Sequence, residues 1–190
     1  MRVGLFGGTF NPVHQGHLLL AEGACTELSL EQVLWIPANA PPHKPLEGNA
    51  TPEDRCRMVE LAIAGHPAFR LSRIELDRPP PSYTIETVRQ LQAKSPDKNT
   101  TWFFLIGSDR VEKLSTWREI DALRRLVQFV VIPRPVAAPA HYPADLKQVQ
   151  VKTLDLCASE IRRQVREGES IEGLVPEPVG RYIQERRLYR

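Results

Sequence analysis

The feature that most constrains this chain is an alternation. Short apolar runs stop at glycine or proline, and each gives way to a stretch of helical spacing. Arg2–Phe6 ends at Gly7-Gly8, Thr101–Ile106 (TWFFLI) ends at Gly107, and Phe129–Ile132 ends at Pro133. Gln32–Ile36, Phe69–Ile74 and Val149–Leu154 complete a predicted set of six strands. A helix is predicted from about Gly16 to Leu28, where Leu18, Leu19, Ala21, Ala24, Cys25 and Leu28 recur at helical spacing. A second starts at Thr51-Pro52-Glu53-Asp54, with a hydroxyl cap, a proline in the first turn and acids facing the positive helix end. Others are predicted over Thr84–Lys94, around Val111, Leu114 and Trp117, and over Ile120–Leu126, Ser159–Glu167 and Pro178–Glu185. Parallel strands need crossovers and helices supply them. The expected architecture is therefore α/β: a doubly wound, Rossmann-like sheet, mainly parallel, with helices on both faces and a small helical C-terminal part. At 190 residues it is expected to form a single domain, 1–190.

Charge narrows the function classes. Lys and Arg number 25 against 23 Asp and Glu, a net +2, which argues against a dedicated nucleic-acid binder. Arg181, Arg186, Arg187 and Arg190 against Glu185 read as a solvated helical end. The 3 cysteines, Cys25, Cys56 and Cys157, show no ligand or disulfide spacing, so no metal site is expected and a reducing cytoplasm fits. MRVGLFGGTF has no signal-peptide pattern, and no apolar run approaches the roughly 20 residues a bilayer needs, so no membrane partner is expected. The 17 prolines cluster at 37–45, 79–81 and 133–143 and mark stiff loops.

In doubly wound sheets ligands sit beyond the carboxyl ends of the strands. The first such end carries the most chemistry: Gly7-Gly8-Thr9-Phe10-Asn11-Pro12-Val13-His14-Gln15-Gly16-His17. Two glycines let the backbone approach a ligand closely. The helix that follows presents unpaired N–H groups to an anion. His14 and His17, three apart, can face that same anion, and Thr9 adds a hydroxyl. The loop is neither a Walker loop nor a dinucleotide fingerprint. It is read as a polyphosphate cradle; the competing reading is that the two histidines are a structural cap pair.

On these residues the chain resembles the nucleotidyltransferase superfamily marked by H-x-G-H (His14-Gln15-Gly16-His17) after G-G-T-F, and more closely the bacterial nicotinate-nucleotide adenylyltransferases. The likeness runs through PANAPPHK, SYTIET, IGSDRVEKLSTW, SEIR and LVPEPVGRYIQERRLY, nearly the whole chain. Two departures stand out. Asn11 occupies a position where the family usually has Asp, and Leu156-Cys157-Ala158-Ser159 replaces a run richer in serine and threonine.

The resemblance assigns further roles. It implies that Gly7 and Gly8, the pair Gly107 and Asp109, and Arg134 contact ATP. Ser159 and Arg162, at a helix start, suit the outer phosphates, since a guanidinium pairs oxyanions bidentately; alone, Arg162 also reads as a surface arginine. Asp109 is placed either for ribose hydroxyls or as a helix cap. Trp117 reads as core by its spacing from Leu114, whereas the resemblance makes it the stacking partner of a nicotinate ring. Tyr83 and Thr84 are expected to receive the nicotinate carboxylate, or simply to cap their helix; Asn39 and Lys44 are expected to touch phosphates and the acceptor nucleotide. The implied reaction is ATP plus nicotinate mononucleotide giving deamido-NAD and pyrophosphate, with His14, His17 and Thr9 at the reacting phosphates and Mg²⁺ arriving with ATP. Nicotinamide mononucleotide or phosphopantetheine as acceptor, or a non-catalytic nucleotide sensor, are the alternatives. The quaternary state is left as monomer or homo-oligomer.

Overall fold

The computed structural model describes residues 1–39, 47–133, 143 and 146–190. Two expected site residues, Lys44 and Arg134, lie outside them. Among the described residues six strands, β1 (Arg2–Gly8), β2 (Gln32–Pro37), β3 (Phe69–Leu71), β4 (Thr101–Gly107), β5 (Gln128–Ile132) and β6 (Lys147–Gln148), form one sheet in the order β3-β2-β1-β4-β5-β6. Every pairing is parallel, with Leu5 lying beside Leu34 of β2 and Phe104 of β4. The chain moves outward from β1 to β3, crosses back to β4 beside β1, and then moves outward the other way. The reversal between β1 and β4 opens a crevice at their carboxyl ends.

Between the strands run α1 (Gln15–Glu27), α2 (Pro52–Ile63), α3 (Thr84–Lys94), a 3₁₀ helix (Ser108–Thr116) and α4 (Ile120–Leu126); α5 (Ala158–Glu167) and α6 (Glu177–Glu185) follow the last strand. The central strands β1, β2, β4 and β5 are apolar beyond their first residues because both faces are covered. Phe103, Leu105, Val130 and Ile132 point to a layer formed by α1, α2, α5 and α6. Phe104, Ile106, Phe129 and Val131 point the other way, against Ile85 and Val88 of α3 and Leu123 of α4. The start of α2 is built as its residues suggest: Thr51 accepts from Asp54 N–H at 3.1 Å, and Asp54 accepts from Thr51 N–H at 2.9 Å.

Three expectations are corrected. The last strand is Lys147–Gln148, earlier and shorter than Val149–Leu154. Only Val149 extends it, through a 3.2 Å bond to the Val131 carbonyl, after which the chain leaves the sheet edge and Leu154 is exposed. β3 stops at Leu71 rather than Ile74, because it too is an edge strand and the chain turns away after Ser72 bonds Trp35. The C-terminal segment is not simply a solvated helical end. Arg181 and Arg186 are exposed, but Leu188 and Tyr189 fold back into the core. Among the described residues no helix is long and apolar enough to cross a membrane.

Candidate active site

A cavity of about 730 Å³ opens at the carboxyl ends of β1 and β4. Gly7, Gly8, Thr9, His14 and His17 line one side of it, and Ser159 and Arg162 stand on the same wall. Gly107, Asp109, Trp117, Tyr83 and Thr84 line the other side. The first turns of α1, α3 and α5 all border this one space. Each turns the positive end of its dipole toward this space, a setting suited to an anion.

The glycines have distinct reasons. A Cβ at Gly8 would come within 2.8 Å of the Phe10 ring, so the packing of the loop itself excludes a side chain there. A Cβ at Gly7 would meet only Phe104, at 3.8 Å, leaving that stretch of backbone open to the cavity. Phe10 takes a left-handed conformation (φ 49°) and sets its ring edge-on to His17 at 5.2 Å. His14 is the N-cap residue of α1, and its N–H donates to Nδ1 of His17 at 3.3 Å. The cap-pair and phosphate readings are therefore compatible. With Nδ1 of His17 accepting, the ring proton sits on Nε2. The two imidazole centroids lie 3.8 Å apart, and both rings, though largely buried, line the cavity.

Arg162 is not the surface arginine its helix neighbours suggest. It is buried, donates through Nη1 to the Asn11 carbonyl at 2.7 Å, and pairs through Nη2 with the Glu47 carboxylate. Its Nε has no partner among the described residues. Asn11 in turn donates to the Glu47 carbonyl at 2.9 Å and accepts from the Tyr189 hydroxyl at 2.8 Å. The amide that replaces the family's usual carboxylate thus uses both its donor and its acceptor. Burial pushes the Tyr189 phenol well up, against the opposing pull of the Arg162 and Arg55 charges.

On the opposite wall, Asp109 lies within the first turn of the 3₁₀ helix, whose N-cap residue is Gly107, so the capping alternative is not realised. Trp117 shows the packing that its spacing from Leu114 suggests, edge-on to Phe104 at 5.7 Å and Phe129 at 6.2 Å, and it is also open to the cavity. Tyr83 carries the Arg118 guanidinium over its ring at 4.6 Å. Asn39 departs from expectation: its amide N–H₂ is turned to the carbonyls of Leu76 and Arg78, and it does not line the cavity.

Four residues of this region escape sequence reading. Glu47 and Glu75 line the cavity, while Arg55 and Tyr189 stand behind it. Burial pushes the Glu75 carboxyl up, partly offset by the Thr87 hydroxyl that donates to it and by the Arg78 charge. Motif spacing gives no sign of Glu47 or Tyr189, because their partners come from the other end of the chain.

The whole arrangement has relatives. Residues 5–164 match the cytidylyltransferase-like family model. A protein of Synechococcus sp. (strain JA-3-3Ab), named as a probable nicotinate-nucleotide adenylyltransferase, is 45% identical over 99% of this chain and 94% of its own length. One of the same name from Geobacillus thermodenitrificans is 45% identical over 99% of this chain and 86% of its own. The nicotinic acid mononucleotide adenylyltransferase of Plasmodium falciparum, solved with NaAD, superposes with a TM-score of 0.77 over 99% of this chain and 97% of that one. At 18% identity that likeness speaks for the fold. With the histidine loop, the crevice and near full-length relatives in agreement, the chain belongs to the nicotinate-nucleotide adenylyltransferases, within the cytidylyltransferase-like nucleotidyltransferases.

Proposed function

We propose that this chain transfers the adenylyl group of ATP to nicotinate mononucleotide, releasing pyrophosphate and forming deamido-NAD. The observation that carries the reading is the single cavity bordered by the first turns of α1, α3 and α5, with both histidines facing in. Two substrates that repel one another need such a cluster of donors. A monophosphate oxygen attacks the α-phosphorus of ATP, and the bond from that phosphorus to the bridging oxygen breaks as pyrophosphate leaves. The attacking phosphate is largely ionised at neutral pH, its second pKa being about 6, so no general base is required. Catalysis rests on in-line placement and on neutralising charge that builds on the phosphates.

In this reading His17 donates from Nε2 to the α-phosphate, with His14 and Thr9 beside it. Gly7 and Gly8 admit the phosphate chain, and Ser159, Arg162 and the start of α5 hold its outer end. Gly107 and Asp109 take the ATP ribose. Tyr83 and Thr84 receive the nicotinate carboxylate at the start of α3, while Trp117 stacks on the pyridine ring. Phosphate and adenosine contacts are assigned to Lys44 and Arg134 from the family resemblance alone, both lying outside the described residues. Mg²⁺ enters as the ATP complex. It would be held largely by phosphate oxygens and water and would neutralise charge on the triphosphate.

The start of α3 favours the acid over the amide, because backbone N–H groups only donate and an amide would turn its own N–H₂ toward them. The test is pyrophosphate release from ATP with each mononucleotide in parallel. A clear kcat/KM preference for the acid is expected. Equal values would refute the acid preference, and no release with either would refute adenylyl transfer.

A further inference from the structure

Arg55, on α2, is fully buried, and among the described residues it has no carboxylate at ion-pair distance. A buried cation without a counter-charge is costly to keep, and burial indeed pushes this guanidinium down. It is held instead by two carbonyls. Nη1 donates to Thr9 at 2.7 Å, in the turn that follows β1. Nη2 donates to Asn39 at 2.7 Å, in the turn that follows β2.

From Asn39 the linkage continues. Its amide bonds the Leu76 and Arg78 carbonyls at 3.4 and 3.2 Å, and Arg78 bonds the Tyr83 carbonyl at 3.3 Å and the Thr87 hydroxyl at 2.7 Å. One end of this chain of contacts is the phosphate cradle; the other is the start of α3, where the acceptor is placed. We propose that Arg55 is the positioning residue that sets the two substrates in line, fixing the Thr9 turn directly and the acceptor wall through Asn39. The proposal rests on the adenylyl-transfer reading above. Arg55 does not line the cavity, so it acts through its neighbours rather than by touching the reacting atoms. Its charge adds positive potential beneath the place where two anions meet. Only a planar fork spans both carbonyls; an ammonium reaches one.

The experiment compares Arg55→Lys and Arg55→Ala with the wild-type chain. Single-turnover transfer is measured alongside equilibrium binding of ATP alone and nicotinate mononucleotide alone. Misplacement of reacting groups by about an ångström costs on the order of a hundredfold in rate. Transfer by the Lys variant is therefore expected to fall roughly a hundredfold, while each separate dissociation constant moves by less than about fivefold. Guanidinium at non-denaturing concentration, and not methylammonium, should restore part of the Ala variant's rate. A Lys variant that transfers within about threefold of wild type overturns the proposal. So does a rate loss matched by equal losses in both binding affinities, the mark of a scaffold role. Should the Ala variant fail to fold, the Lys variant decides. A wild-type chain that transfers no adenylyl group overturns the underlying reading and this proposal with it.

Discussion

Tyr189→Phe isolates one hydrogen bond of the network behind Arg162. The ring stays, so its packing against Gly48, where a Cβ would come within 2.8 Å, is kept. What is lost is the 2.8 Å donation to Oδ1 of Asn11, a residue whose carbonyl holds Arg162. Leaving a buried acceptor unmet costs roughly 1–3 kcal/mol. In a chain of 190 residues each kcal/mol lowers Tm by about 2–4 °C, so a drop of roughly 4–8 °C follows for a mid-range loss. The decisive assay is a double-mutant cycle read by thermal unfolding in far-ultraviolet circular dichroism. In an Asn11→Ala background the tyrosine hydroxyl has itself lost its acceptor, so removing it should be neutral or stabilising. The KM for ATP should follow the same pattern, because Asn11 positions Arg162. Strict additivity of the two substitutions would refute the linkage from Tyr189 to Asn11.

Further outcomes follow from the same geometry. His17→Ala should lower kcat by roughly 10²–10³ while ATP binding changes little, since its donor matters most as charge builds at the α-phosphate; steady-state kinetics check this. Arg162→Lys should raise the KM for ATP about tenfold or more, because an ammonium cannot hold the Asn11 carbonyl, Glu47 and a phosphate together; a rise only in the mononucleotide KM would move the residue to the other substrate. Asp54→Asn should cost roughly 1–2 kcal/mol near neutral pH. Burial raises that carboxyl, but the Thr51 hydrogen bonds and the Tyr182 hydroxyl outweigh it and hold the group below its ordinary 3.8. Its stabilisation is therefore present above the unfolded value and lost as pH falls through the folded one, so the Asn variant should converge with wild type in acid, measured by urea unfolding across pH.

The parts of this protein that could be read from its sequence are those whose causes are local. Gly7-Gly8, TWFFLI and Thr51-Pro52-Glu53-Asp54 each carry their own stop, burial or cap, and α3 spans the predicted Thr84–Lys94. The edge strands are harder to read, because β3 and β6 end where the chain turns away from a sheet whose inner strand runs on, not where their own pattern changes. In the site, the histidine loop was legible because its donors are contiguous. The supports were not. Arg162 meets Asn11 across 151 positions and Tyr189 meets the same residue across 178, contacts that no spacing rule encodes. The partners of the Asn39 amide are hidden for a related reason, since Leu76 and Arg78 belong to another loop.

The placement of Trp117 also gives the protein a built-in optical probe. Of the 3 tryptophans, Trp35 is sealed among Phe6, Phe10 and Phe69, and Trp102 is buried in β4. Their emission forms a constant background that a ligand does not reach. Trp117 alone among them faces the cavity, so a flat ring settling on it should quench its fluorescence, and the titration curve should report occupancy of that wall of the cavity without a label. Trp117→Phe would keep an aromatic wall but make the same titration dark, which separates a signal arising at this ring from one transmitted to the interior.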